Sequence, residues 1–147
     1  MRLLRVLKTR KGKPIHFLAY APKIEQLCKK HHIDLLYVFG SYASGTSGSL
    51  SDLDLAYYSK HDVDEFKVLP ELQNIFDEEA IDFVNLRKAP LPLIHRVLKG
   101  QCLYAGSLKV KIEFETNTEN LYFDTAPLRE EYFENMMERI AHGAFGA

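Results

Sequence analysis

The sequence predicts an α+β fold, a small mixed β-sheet covered on one face by helices. Three observations point there. Leu35–Phe39 (LLYVF), Asp52–Tyr58 (DLDLAYY) and Ile81–Leu86 (IDFVNL) are largely apolar runs of strand length, rich in aromatic and branched residues. Other stretches repeat their apolar residues at helical spacing, and such a mixture of strands and helices suits a sheet with packed helices. The chain has 147 residues, 46% of them hydrophobic, enough to bury one core and little more, so a single domain over residues 1–147 is expected.

Residues 1–21 read as a basic extension, because Arg2, Arg5, Lys8, Arg10, Lys11 and Lys13 precede the first acidic residue, Glu25. Apolar residues flank Lys11-Gly12-Lys13-Pro14, a candidate hairpin turn, and lysines keep an exposed strand soluble. A phosphate-seeking arm is the alternative reading. A helix is expected from Pro22 to Lys30, with His31-His32 at its carbonyl-rich end. The Leu35–Phe39 strand, a turn at Gly40-Ser41 and the Asp52–Tyr58 strand follow. A helix over Asp62–Phe76 would bury Phe66, Leu69, Leu72 and Phe76, with Pro70 as a candidate break. Then come the Asp82 strand, a helix over Pro90–Lys99 and a short strand at Cys102–Tyr104. The last element is a C-terminal helix over 125–143, with Pro127 in its first turn and Gly143 at its end. Its stripe of Phe133, Met136, Met137 and Ile140 is expected to pack on the core; a partner-docking face, which adaptable methionines suit, is the alternative.

The chemistry is concentrated between residues 35 and 58. Gly40-Ser41 is followed by ten residues and then Asp52-Leu53-Asp54. A glycine after a strand lets the chain bend sharply and bring N–H groups and a hydroxyl against phosphate oxygens. Aspartates at i and i+2 on a strand share one face, so Asp52 and Asp54 can hold one metal cluster while Leu53 and Leu55 enter the core. Hard cations such as Mg²⁺ take such oxygen ligands together with substrate phosphates. These are the parts of a phosphoryl- or nucleotidyl-transfer site.

Gly-Ser, ten residues and Asp-x-Asp, all present here, resemble the motif of the minimal nucleotidyltransferases of the DNA polymerase β superfamily. The run from Ala89-Pro90 to Leu103-Tyr104 and the ending after Tyr122-Phe123-Asp124 resemble the MntA-type antitoxin branch, whose members pair with HEPN-domain toxins. The resemblance implies a polymerase-β-like core, two Mg²⁺ ions on Asp52, Asp54 and a third carboxylate, Asp82, and ATP held by Gly40, Ser41 and Ser51. It further implies transfer of AMP to a tyrosine hydroxyl of a HEPN ribonuclease toxin, in a cytoplasmic hetero-oligomer. Relatives often carry arginine where this chain has Ser44. Two alternatives stay open: an antitoxin that acts by binding alone, and a nucleotidyltransferase for a small hydroxylated compound or an RNA end.

The rest of the sequence narrows the class. The formal net charge of −1 argues against a surface devoted to gripping nucleic acid, and no apolar run reaches membrane-spanning length. Cys28 and Cys102 show no metal-ligand spacing and read as reduced core thiols, and the six histidines form no zinc pattern.

Overall fold

The computed structural model describes the backbone at residues 7–8 and 14–15 and the chain over 17–40 and 52–143. Its elements are β1 (Leu7–Lys8), β2 (Pro14–Ile15), α1 (Phe17–Lys30), β3 (Leu35–Phe39), β4 (Leu53–Tyr58), α2 (Glu65–Phe76), β5 (Ile81–Asn85), α3 (Leu91–Leu98), β6 (Gln101–Ala105), α4 (Leu108–Asp124) and α5 (Ala126–Ala141). β1 and β2 pair antiparallel, Leu7 opposite Ile15, as the hairpin reading expects; the turn between them lies outside the described residues.

The main sheet has the order β5-β4-β3-β6. β3 runs antiparallel to both β4 and β6, whereas β4 and β5 are parallel, with α2 supplying the crossover that a parallel pair needs. β3 is buried at every position, which explains its unbroken apolar run. Alternate residues feed two cores. Leu36, Val38, Leu53, Leu55 and Tyr57 meet Ile24, Leu27 and Cys28 of α1 and Val68, Leu72 and Phe76 of α2. Leu35, Tyr37, Phe39 and Ala56 lie on the other side with Val97 of α3, joined by Leu93, Ile94, Val110 and Phe114 from α3 and α4. Helices therefore cover both faces of the sheet rather than the one face expected.

The second cover includes a helix that the sequence conceals. Leu108-Lys109-Val110-Lys111-Ile112-Glu113-Phe114-Glu115 alternates apolar with charged residues, the pattern of a half-buried strand, yet it opens the 17-residue α4. Ser107 caps it by accepting from the Val110 N–H at 3.4 Å. Tertiary packing overrides the pattern: Val110 and Phe114, one turn apart, meet the sheet, and Phe114 lies 4.5 Å from the Tyr58 ring.

Three other expectations need correction. α1 begins at Phe17 and carries Pro22 inside it, because buried Phe17, edge-on to Phe76 at 5.6 Å, anchors the added turn. α2 starts after Asp64, whose carboxylate accepts from the Phe66 N–H at 3.2 Å, and Pro70 does not split it. Its buried face is Val68, Leu72 and Phe76, at i, i+4 and i+8, while Phe66 is 93% exposed. Finally, α5 buries no residue: Phe133, Met137 and Ile140 are all exposed, so the stripe is not core.

Two of the described histidines serve a helix end and packing. His32, in left-handed backbone with φ 58°, closes α1 while the Ile33 N–H bonds to the Cys28 carbonyl at 2.8 Å. His95 on α3 stacks on Tyr122 of α4 at 3.7 Å, and its Nδ1 is 2.8 Å from Glu119. Arg129 of α5 covers the Tyr122 ring at 3.8 Å. His95→Ala removes the stack and strands Glu119, with an expected loss of about 1–2 kcal/mol in chemical denaturation.

Candidate active site

The strand directions bring the motif residues together at one end of the sheet. β3 ends where antiparallel β4 begins, so Phe39 pairs with Asp54 and Gly40 follows at the same edge. β5 runs parallel beside β4, and Asp54 pairs with Asp82. In-register neighbours on parallel strands point to the same face, which for Asp54 and Asp82 is the side of α3 and α4. Asp52 immediately precedes β4. Ser41, Ser44 and Ser51, together with the rest of the turn, lie outside the described residues.

Gly40 is required here for two reasons. Its φ of +73° is left-handed, and a Cβ built on it would collide with the Asp54 carboxylate. The missing side chain leaves Asp54 room against the backbone at the end of β3.

Asp54 is electrostatically distinctive. Partial burial, the charge of Asp82, a hydrogen bond with Asp82 and the charge of Asp52 together push it from 3.8 to about 6, opposed by Arg96. A carboxylate this close to others ionises at a cost, so Asp54 keeps its proton to a higher pH and a cation beside it would relieve that cost. The sign follows: Asp54 is protonated below about pH 6, and above it the ionised carboxylate, only partly offset by Arg96, favours a divalent cation. The donors are hard oxygens, as Mg²⁺ requires, so Asp52, Asp54 and Asp82 suit that ion chemically. Among the described residues, no three His, Cys, Asp or Glu side chains are already gathered as a metal cluster. Asp54 and Asp82 form the tight pair, and Asp52 acts on Asp54 through its charge.

Arg96, near the end of α3, is the residue that sequence reasoning missed. Its charge is the one that steadies ionised Asp54. Only the topology reveals it, because nothing local links Arg96 to a motif some forty residues earlier. Replacing Arg96 with glutamine is expected to lift Asp54 further and cut activity at pH 6 about threefold, with little loss at pH 8. A pH–rate profile of both proteins checks this.

Comparison with known proteins agrees with the geometry. The Polymerase beta nucleotidyltransferase family matches residues 22–108, more than half of the chain. The chain belongs to that family. The protein adenylyltransferase MntA of Shewanella oneidensis is 27% identical over 113 residues, covering 74% of this chain and 80% of MntA. A toxin–antitoxin crystal structure with AMP-PNP superposes with a TM-score of 0.67 at 25% identity, over 80% of this chain and 98% of that one. A tri-AMPylated Shewanella oneidensis HEPN toxin in complex with MNT antitoxin gives a TM-score of 0.64 at 22% identity, over 83% and 99%, a likeness of fold. The expected α+β nucleotidyltransferase core is thus borne out. None of the helices in the described residues is long and apolar enough to cross a membrane.

Proposed function

We propose that this chain is an antitoxin that transfers AMP from ATP to a tyrosine hydroxyl of a partner HEPN-domain toxin and so inactivates it. The observation that carries the reading is the in-register pairing of Asp54 with Asp82 beside Gly40. It supports an acid pair next to a glycine whose backbone a phosphate can approach closely. The likeness to MntA, named a protein adenylyltransferase, supplies the reaction class and the partner. The expected setting is the cytoplasm.

Gly40, Ser41 and Ser51 hold the phosphates, with the backbone at Gly40 free to approach because no Cβ intervenes. Asp52, Asp54 and Asp82 would hold Mg²⁺, which would supply charge neutralisation at the reacting oxygens. Asp82, the more exposed member of the pair, faces the acceptor side and takes the hydroxyl proton. The tyrosine oxygen bonds to the α-phosphorus, the bond from that phosphorus to the bridging oxygen breaks, and pyrophosphate leaves. Position and electrostatics do the work, and no covalent enzyme intermediate is needed.

Intact mass of the partner toxin, after incubation with this chain, ATP and Mg²⁺, tests the proposal. A gain of one or more AMP units is expected. A stable complex with no mass gain would replace the reading with an antitoxin that acts by binding alone.

A further inference from the structure

α5 carries an apolar stripe that nothing in the described residues covers. Leu128, Tyr132, Phe133, Met137 and Ile140 fall at i, i+4, i+5, i+9 and i+12, on one half of the helix, and each is between 47% and 71% exposed. A helix that packs on its own domain buries this half, yet α5 buries no residue. Aromatic and methionine side chains exposed together suit a protein interface. The other half of the helix is acidic. Glu130, Glu134 and Glu138 recur at four-residue intervals beside the stripe, and among the described residues none of them is ion-paired. Like charges at that spacing repel along a helix, so the row is relieved by a partner that brings cations.

The root of α5 is fixed on the side of the sheet that carries the acid pair. The Tyr122 ring, near the end of α4, is held between His95 of α3 at 3.7 Å and Arg129 of α5 at 3.8 Å, and Arg129 Nη1 donates to Thr125 Oγ1 at 2.6 Å. α3 in turn ends near Gly40, because Gly100 packs on Phe39. α5 therefore springs from helices on the face to which Asp54 and Asp82 point.

We propose that the apolar half of α5 is the docking face for the partner toxin, meeting an apolar patch rimmed by lysine and arginine. The inference rests on the antitoxin reading and adds to it the surface that holds the substrate protein. On that reading the toxin is a ribonuclease, and a protein that handles RNA meets its phosphates with Lys and Arg. The acidic row offers such a surface complementary charge. A second copy of this chain fits worse, because a two-fold contact sets the same patch against itself and gathers the glutamates of both copies. Docking on α5 also brings the acceptor to the side of the sheet that carries the acid pair.

The test is Phe133→Glu, Met137→Glu, with binding of the toxin and of ATP with Mg²⁺ each followed by calorimetry. Toxin affinity should fall by about thirtyfold or more, the effect of losing two anchors from the centre of an interface, while ATP affinity and the melting temperature stay at the parent's values. Glu130→Lys, Glu134→Lys should slow toxin association at low salt by about fivefold or more and flatten its salt dependence. Unchanged toxin affinity in the first variant, or an unchanged association rate in the second, overturns the inference and leaves the transferase reading standing. A lower melting temperature in the first variant also overturns it, by showing the stripe packed on its own chain. Conversely, a toxin that binds through α5 without gaining AMP would remove the transfer reaction and keep the docking face. If the unaltered chain neither binds nor modifies the toxin, both fall together.

Discussion

Replacing Asp54 with asparagine is expected to abolish transfer, by about a thousandfold or more, and at the same time to stabilise the metal-free chain. Loss of transfer follows because an amide keeps the shape of the carboxylate but neutralises a charge that the site needs at its reacting oxygens. Stabilisation follows from linkage. The folded chain holds the Asp54 proton up to about pH 6, whereas the unfolded chain releases it near the ordinary 3.8. Stability from this group is therefore present below the unfolded value and declines as pH rises through about 6, so at pH 7 the ionised form is a net cost. The shift corresponds to at most about 3 kcal/mol, and solvent screening of a partly exposed carboxylate reduces it to about 1 kcal/mol. Thermal melts at pH 7 and pH 5 separate the effects: Asp54→Asn should melt higher than the parent at pH 7, with an advantage about half as large at pH 5 that vanishes only below the unfolded value of 3.8. A variant that melts lower at both would show Asp54 to be a structural contact instead.

Gly40→Ala should damage both fold and function. The left-handed backbone alone costs an alanine about 1 kcal/mol. Its methyl group would also drive into the Asp54 carboxylate, which cannot retreat far because Asp82 is its register partner. A loss of at least 2 kcal/mol in urea denaturation is expected, with activity down about a hundredfold in the protein that remains folded. The double variant Gly40→Ala, Asp54→Asn tests whether the collision is specific. Asparagine is as bulky as aspartate, so the stability loss should persist while the acid-pair cost disappears.

The candidate site could be proposed from the sequence because its motif is local. A glycine after an apolar strand and two aspartates at alternating positions describe a strand–turn–strand unit without reference to anything distant. Asp82 could be singled out because it interrupts an apolar run, but its place opposite Asp54 depends on β5 lying parallel to β4, a non-local choice. Arg96 was invisible for that reason: it reaches Asp54 through the packing of α3 on the sheet. The lapses in fold have a different cause. α4 carries a strand-like alternation at its start, and the α5 stripe has helical spacing with no surface beneath it. Periodicity marks which side of a helix is apolar, and the rest of the chain decides whether anything covers it.

The most direct test uses ATP labelled in turn at the α- and the γ-phosphate, incubated with the chain, Mg²⁺ and the partner toxin. Nucleotidyl transfer requires the α label to appear on the toxin while the γ label leaves as pyrophosphate, with neither transferred by Asp54→Asn. Appearance of the γ label on the toxin would mean phosphoryl transfer, and equal transfer by Asp54→Asn would remove the acid pair from the mechanism; either result contradicts the account.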